Sequence, residues 1–433
     1  MERQVAQEPA QLETEQVKIS QWPRNLWRNR NFNIFWAGQT LSALGDAFAI
    51  IALPLLVLQI TGSVAQMGLV TGLGGICRLL SGLVSGVIVD RLNLRRLMIV
   101  CDAAMALTYS LIPLGTWLMG QSQMWLVYSV TAVGALFGNC FQVAYISAVP
   151  GLVRREQLTG ANSRLQTTFG IAFVTGPALA GFISAQFGPV ISIGIDALSF
   201  GISCLCLILI KFDRATSSHD EEDIITESKS FIKEWLAGLQ FLLRQPTLRA
   251  ITLLLGGYGL LTTGGLDLFI YHLKHDLGQD DNAVGLVFGL SSIGAILSGL
   301  AVGFIRSRLG FGFCFLGGMF VASFTIGAIG QSGSVLLVAL LATFFTFFDS
   351  IKGISSMSLR QEITPPRLLG RVTAVFWTLI SVTGPLGAAI LTWLAEHYGA
   401  PLVLVLMGVL GIALAFIGLF TPASSRYPEK QSQ

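Results

Sequence analysis

The chain holds 433 residues, 53% of them hydrophobic and only 12% charged, with a formal net charge of +3. A water-facing surface usually takes about 25% charged residues, so this composition excludes a soluble globular fold and calls for a surface that faces lipid. No basic run interleaved with aromatics is present, which excludes nucleic acid as a partner.

Met1 to Ser20 is polar and acidic and lacks the charged, apolar, small-residue order of a secretory signal. The first apolar run is therefore expected to direct insertion itself. Apolar runs then recur at about the 20-residue length that crosses a bilayer core. They predict helices over 33–60, 65–89, 97–119, 125–149, 163–186 and 189–211, then over 248–272, 283–305, 311–331, 335–360, 370–395 and 400–420. Lipid offers no hydrogen bonds, so each span must satisfy its own backbone, which makes these runs helices and not isolated strands. One long polar stretch interrupts them. Its first part, SSHDEEDIITESK, reads as a solvated linker. Its second, FIKEWLAGLQFLLRQ, spaces Phe231, Trp235, Leu239 and Leu242 as the apolar face of an amphipathic interfacial helix. The expected division is an N-terminal segment (1–32), a six-helix bundle (33–210), a linker (211–247), a second six-helix bundle (248–420) and a tail (421–433).

Lys and Arg set orientation. With the N-terminus inside, 24 of the 27 basic residues fall in cytoplasmic segments, Arg78 and Lys352 fall within spans, and Lys274 falls outside. An odd number of spans would scramble this alternation, so both termini are expected to be cytoplasmic. The halves also repeat each other. SGLVSGVIVDRL from Ser81 parallels SGLAVGFIRSRL from Ser298, 217 residues on, and GLVTGL from Gly68 parallels GLVFGL from Gly285 in the same register. Thr175-Gly176-Pro177 likewise parallels Thr383-Gly384-Pro385. The fold class that follows is an all-α membrane protein, with twelve transmembrane helices in two pseudo-symmetric six-helix bundles. Such an arrangement places a solute site between the repeats.

Ionisable groups inside a bilayer are costly and usually functional. Asp46 is thirteen residues into the first predicted span, near the midplane at about 1.5 Å per residue, and Arg78 lies at comparable depth in the second. Asp349 sits at similar depth in the tenth, with Lys352 three residues on along the same face. A carboxylate alternately hydrated and desolvated can load and release a proton, which makes Asp46, and then Asp349, the candidates for proton coupling. Asp46 has a second reading as the permanent ion-pair partner of Arg78, and Arg78 a second reading as the anchor of an anionic solute group. Asp349 and Lys352 read either as a self-neutralised pair or as cavity groups that meet solute or proton. Asp196 and Asp267 are placed toward the outside, Asp267 either near the repeat-equivalent of Asp46 or solvated at the lip with Lys274 and Asp276.

Phe169, Phe173, Phe344, Phe345, Phe347, Phe348, Phe376 and Trp377 are candidates for a cavity wall. Arg78, Lys352, Phe173 and Trp377 are the residues chosen to meet solute. The four histidines fall in loops or at helix ends and the six cysteines within apolar runs, so no metal, cofactor or histidine relay is expected. No phosphate-cradling Gly-rich loop and no His pair at metal spacing is present, so the chain is not read as an enzyme. A passive scaffold would gain nothing from midplane charges.

Gly86-Val-Ile-Val-Asp90-Arg91-Leu-Asn-Leu-Arg95-Arg96 resembles the loop signature between helices 2 and 3 of the major facilitator superfamily. The resemblance implies a cytoplasmic latch built from Gly86, Asp90, Arg91 and Arg95, joined by Asp102 at the inner end of the third span. The alternative is that the arginines only fix topology. Gly176-Pro177-Ala-Leu-Ala-Gly181 is similar to the antiporter motif in helix 5 of drug exporters, although Ala172 and Ala180 stand where glycines are usual. NRNFNIFWAGQTLSALGDAF, LVRREQLTGANS, IDALSF and WLAGLQFLLRQPTLR extend the likeness over nearly the whole chain to the drug:proton antiporter branch that contains macrolide and enterobactin exporters. That resemblance implies a multi-pass protein of the bacterial plasma membrane, acting as a monomer. It would export a drug-like or amphiphilic small molecule by proton antiport with alternating access. Export of one siderophore or secondary metabolite is the alternative, and nutrient import comes third.

Overall fold

The computed structural model describes residues 26–154, 157–210 and 235–426, and within these the side chains of residues 83, 86, 87, 90, 91, 159, 366 and 367 lie outside what is described. Among the described residues twelve helices are long and apolar enough to cross a membrane, and there is no strand. They are α1 (Arg30–Thr61), α2 (Val64–Arg91), α3 (Leu94–Met119), α4 (Met124–Ala148), α5 (Leu158–Phe187) and α6 (Pro189–Leu209) in the first half. The second half holds α7 (Pro246–Asp276), α8 (Asp281–Leu309), α9 (Phe313–Gly330), α10 (Val335–Ile363), α11 (Pro366–Tyr398) and α12 (Ala400–Leu419). A shorter helix over 235–244 precedes α7.

Several helices overrun the predicted apolar runs because polar caps carry them past the hydrocarbon. Asn29, Ser63, Asn93 and Asp280 each accept a backbone N–H three residues on, satisfying a first-turn donor of α1, α2, α3 and α8. At the end of the bundle away from the described termini, the turns close through Gly62, Gly120, Gly188, Gly278 and Gly399. All five have positive φ, where a Cβ would add strain. Two spans differ from the regular helices expected. α7 breaks at Thr263–Gly264 and ends in a π-turn over His272–Asp276, and α9 opens with a π-turn over Phe313–Gly317. The break accompanies very close packing by α11, since a methyl at Gly387 would collide with the Leu260 carbonyl and Gly264 lies against Ala388.

Helix pairing repeats with a six-helix step: α3–α6 with α9–α12, α3–α4 with α9–α10, α2–α4 with α8–α10, and α1–α5 with α7–α11. The halves meet along two seams, α2 on α11 and α5 on α8. Small residues set the approach on both. A Cβ at Gly285 would fall 2.7 Å from Gly181 Cα, Gly289 packs on Ala178, Gly75 on Pro385 and Gly68 on Thr392. The paralleled stretches GLVTGL, GLVFGL and TGP of α11 therefore lie on the seams themselves.

The apolar core changes along the bundle. At the end with the tight glycine turns, one buried cluster joins both halves, with Ile51, Leu55 and Val64 packed among Leu268, Val284, Leu391 and Leu404. At the other end each half keeps its own. Phe32, Met98, Ala144 and Leu207 belong to the first half, and Ile251, Phe315, Leu359 and Val375 to the second. Helix 235–244 joins the second of these clusters through Trp235, Leu239 and Leu242. The halves thus share a core at one end and have separate cores at the other.

Candidate functional site

The shared end is also tied by polar contacts. Thr71 Oγ1 on α2 donates to Asp267 Oδ2 on α7 at 2.8 Å, and the Ala65 amide donates to Glu396 Oε2 at 3.2 Å. Gln59 reaches Asp281 at a longer 3.5 Å, and Lys274 pairs with the same carboxylate. In each bond between halves a carboxylate of the second half accepts from a neutral donor of the first. Asp267, 1% exposed, is part of this closure and not a solvated lip residue, because Thr71 replaces the water it would otherwise need.

Deeper in the first half, a cavity of about 60 Å³ is lined by Gln39, Ser42 and Asp46 of α1, Gln142 and Phe141 of α4, Phe169 of α5 and Phe200 of α6. The Asp46 carboxyl is open to this space. Arg78 is within electrostatic reach of Asp46, yet among the described residues no salt bridge joins them. Arg78 is exposed on α2. Behind Asp46 lie two further carboxylates. Asp196 packs on Gly45, where a methyl would collide with Ser199 Oγ. Its Oδ1 is 3.4 Å from that hydroxyl, while Oδ2 has no partner. Asp102 is fully buried, and among the described residues neither of its oxygens makes a hydrogen bond of normal geometry, although the Ser203 hydroxyl lies near it. Ser203 Oγ accepts from Gln39 Nε2 at 3.0 Å, which connects the cavity wall to buried α6.

The second half is arranged differently. Lys352 Nζ donates to Asp349 Oδ1 at 2.5 Å and sits 3.5 Å above the Tyr258 ring of α7. Lys352 is buried and Asp349 keeps 38% of its side chain exposed, so the pair presents its acid to the open space and its base to the core. Trp377 is 54% exposed beside Phe376, which the Arg360 guanidinium covers at 3.8 Å. Phe173 is exposed on α5, but it is Phe169, one turn earlier, that lines the cavity.

The residues expected to form a latch are not brought together where they can be described. Arg95 donates to the Leu207 and Ile208 carbonyls at 2.9 and 2.5 Å, capping the C-terminus of α6, and does not reach Asp102. The surroundings of Gly86 and the side chains of Asp90 and Arg91 lie outside what is described. In the helix 5 motif, Gly176 packs on Ala47 of α1 and Gly181 on Gly285 of α8, with Pro177 inside the helix between them. That motif therefore serves one contact within its half and one seam.

Sequence reasoning missed Tyr258, Arg360, Gln39 and Ser203, and did not show that Asp196 packs on α1 at Gly45. A neutral hydroxyl or amide in an apolar run carries no signal of its own. Arg360 is one of the 24 basic residues assigned to cytoplasmic segments, because it stands at the end of a predicted span. All six cysteines are free, and among the described residues no cluster could hold a metal ion.

Two pseudo-symmetric six-helix halves around a polar interior define a membrane transporter of the kind built from repeats. The Major Facilitator Superfamily model matches residues 35–271 and 260–433, and the chain belongs to that family. It is 26% identical over 409 residues to macrolide efflux protein A of Streptococcus pyogenes, covering 91% of this chain and 96% of that protein. It is 25% identical over 343 residues to the enterobactin exporter EntS of Escherichia coli, covering 79% of each. Among solved structures, a D-xylose-proton symporter superposes with a TM-score of 0.68 at 13% identity, covering 93% of this chain and 98% of that one. This last likeness concerns the fold alone.

Proposed function

We propose that this protein exports amphiphilic small molecules across the bacterial plasma membrane by proton antiport, in an alternating-access cycle. The observation that carries the reading is the asymmetric core. The halves share one apolar cluster at the end of the glycine turns and keep separate clusters at the end of the described termini. With both termini cytoplasmic, this is a state closed to the outside and open to the inside. Solute would enter between the halves and meet the first-half cavity, where Asp46, Gln39 and Gln142 offer polar contacts among Phe141, Phe169 and Phe200. Proton binding at Asp46 would remove the charge that a cationic or polar solute needs, and Asp349 is the second candidate for the same role. The bonds from Thr71 and Ala65 to Asp267 and Glu396 would break as the outer end opens. Relatives that carry macrolides and enterobactin support efflux as the direction. They leave a drug-like solute as the first reading and a siderophore as the second.

The test is solute-dependent proton release from energised everted vesicles, screened over macrolides, cationic dyes and catecholate siderophores. A pH change with one class, lost in Asp46→Asn, is the expected result. Accumulation of solute without proton movement would overturn the coupling while leaving the transporter assignment in place.

A further inference from the structure

The inner half of α10 carries buried polar groups that nothing among the described residues satisfies. Arg360 is 3% exposed, and its Nη1 has no hydrogen-bond partner. The nearest acid in sequence, Glu362, is held by both guanidinium nitrogens of Arg306 from α8, at 3.0 and 2.6 Å. One turn to either side of Arg360, the hydroxyls of Ser356 and Thr364 are also buried without a partner. Spacing of four residues puts Ser356 and Arg360 on one face of α10, where Arg360 meets Phe376 and Trp377 of α11, and Thr364 is the C-cap residue that follows the helix. Side chains on a helix lean toward its N-terminus, which directs the guanidinium toward Ser356.

An uncompensated buried charge is strongly unfavourable, and a cation–π contact satisfies only the flat face of the guanidinium. Phe376 covers that face at 3.8 Å. The N–H edge is left for a planar acceptor, and a fork of donors is suited to two oxygens of one acid group. Lys352, two turns further into the same helix, is already occupied by Asp349 and Tyr258. Arg360 is therefore the cation with spare donors in this region.

We infer that Arg360, with Ser356, forms an oxyanion subsite for a carboxylate, sulfonate or phosphate group, opening beside Trp377 toward the space between the halves. The inference rests on reading that space as the solute path, and it adds an acid-bearing end to the solutes the cavity accepts. The acid group has two sources, a soluble molecule or the headgroup of an anionic lipid.

Full-length protein in phosphatidylcholine nanodiscs would be titrated with benzoate, benzenesulfonate and phenyl phosphate, with benzamide as the neutral control, following thermal unfolding. At least one acid should raise Tm where benzamide does not. Arg360→Gln should abolish the shift, Arg360→Lys should keep a weakened one, and Ser356→Ala should weaken binding about fivefold, the worth of one hydrogen bond. Nanodiscs containing phosphatidylglycerol separate the sources. A raised baseline Tm that blocks the benzoate shift, and that Arg360→Gln removes, assigns the site to a headgroup, and an unaltered shift assigns it to a soluble acid. Equal shifts with benzamide, or shifts that survive in Arg360→Gln, would overturn the subsite. Absence of any shift would overturn it too, leaving Arg360 as a group that pairs within the protein in another conformation. The readout needs no proton gradient, so failure here does not touch the coupling test.

Discussion

The two halves share a backbone plan and carry opposite interiors. In the first, Asp102 and Asp196 are buried with oxygens that make no hydrogen bond of normal geometry among the described residues, and Asp46 faces a cavity with Arg78 in reach but unbonded. In the second, Lys352 is bonded to Asp349 and stacked on Tyr258, and Arg360 lies on Phe376. The small residues on the seams match between repeats, because the distance between two helix backbones leaves room for little besides glycine. The interior groups do not match, because once the backbones are placed a polar side chain is constrained only by what it meets. The repeat supplies the close seams, and its divergence leaves buried acids in the first half and buried bases, Lys352 and Arg360, in the second.

That contrast can be broken from either side. The largest effect is expected from Asp46→Asn, which should reduce gradient-driven export in everted vesicles to that of vesicles lacking the protein. Full activity in that variant would remove Asp46 from the mechanism. Next comes Asp349→Asn, which leaves the buried Lys352 ammonium without its acid and should destabilise the protein by about 3 kcal/mol. Asp349→Asn combined with Lys352→Met should recover most of that loss, as measured by denaturant or thermal unfolding in detergent.

The shared frame is tested by Gly285→Val, whose side chain must displace the Gly181 backbone. Overpacking of this kind costs about 1–3 kcal/mol, and spin labels flanking the closed end should report longer distances between α5 and α8. Thr71→Val removes the donor to buried Asp267, at a cost to the closed state of about 1–2 kcal/mol. The same labels should read it as a smaller opening.

The smallest effect belongs to Asp280, the cap of α8. The Ala283 amide, donating at 2.9 Å, and then the Asn282 side chain hold its carboxyl below the usual aspartate value. A lowered folded-state value means the stabilisation is present at neutral pH and is lost as pH falls through that value. Asp280→Ala should cost about 1 kcal/mol at pH 7, less in so exposed a position. The difference from the parent should vanish in acid.

Much of this was legible in advance. Twelve spans, their pairing into halves and the acids and bases at mid-depth follow from apolar run lengths and from a repeat at a fixed interval. The break in α7 was not legible, since a pair of glycines in an apolar run is compatible with a continuous helix until α11 presses on it at Gly387. The same holds for Asp267, whose burial depends on Thr71 in the other half, and for Arg95, whose reach to α6 is set by how α3 and α6 pack.

Sequence alone determined that this protein lives in lipid, that it is duplicated, and which few residues carry charge into the membrane. Hydrophobic length and residue type are local properties, and lipid enforces them span by span. Only the tertiary structure decided which end is closed, that Asp46 and Arg78 remain unbonded, that Lys352 is occupied and that Arg360 is not. Those are relations between helices distant in the chain, and they depend on side-chain reach across seams that no local pattern encodes.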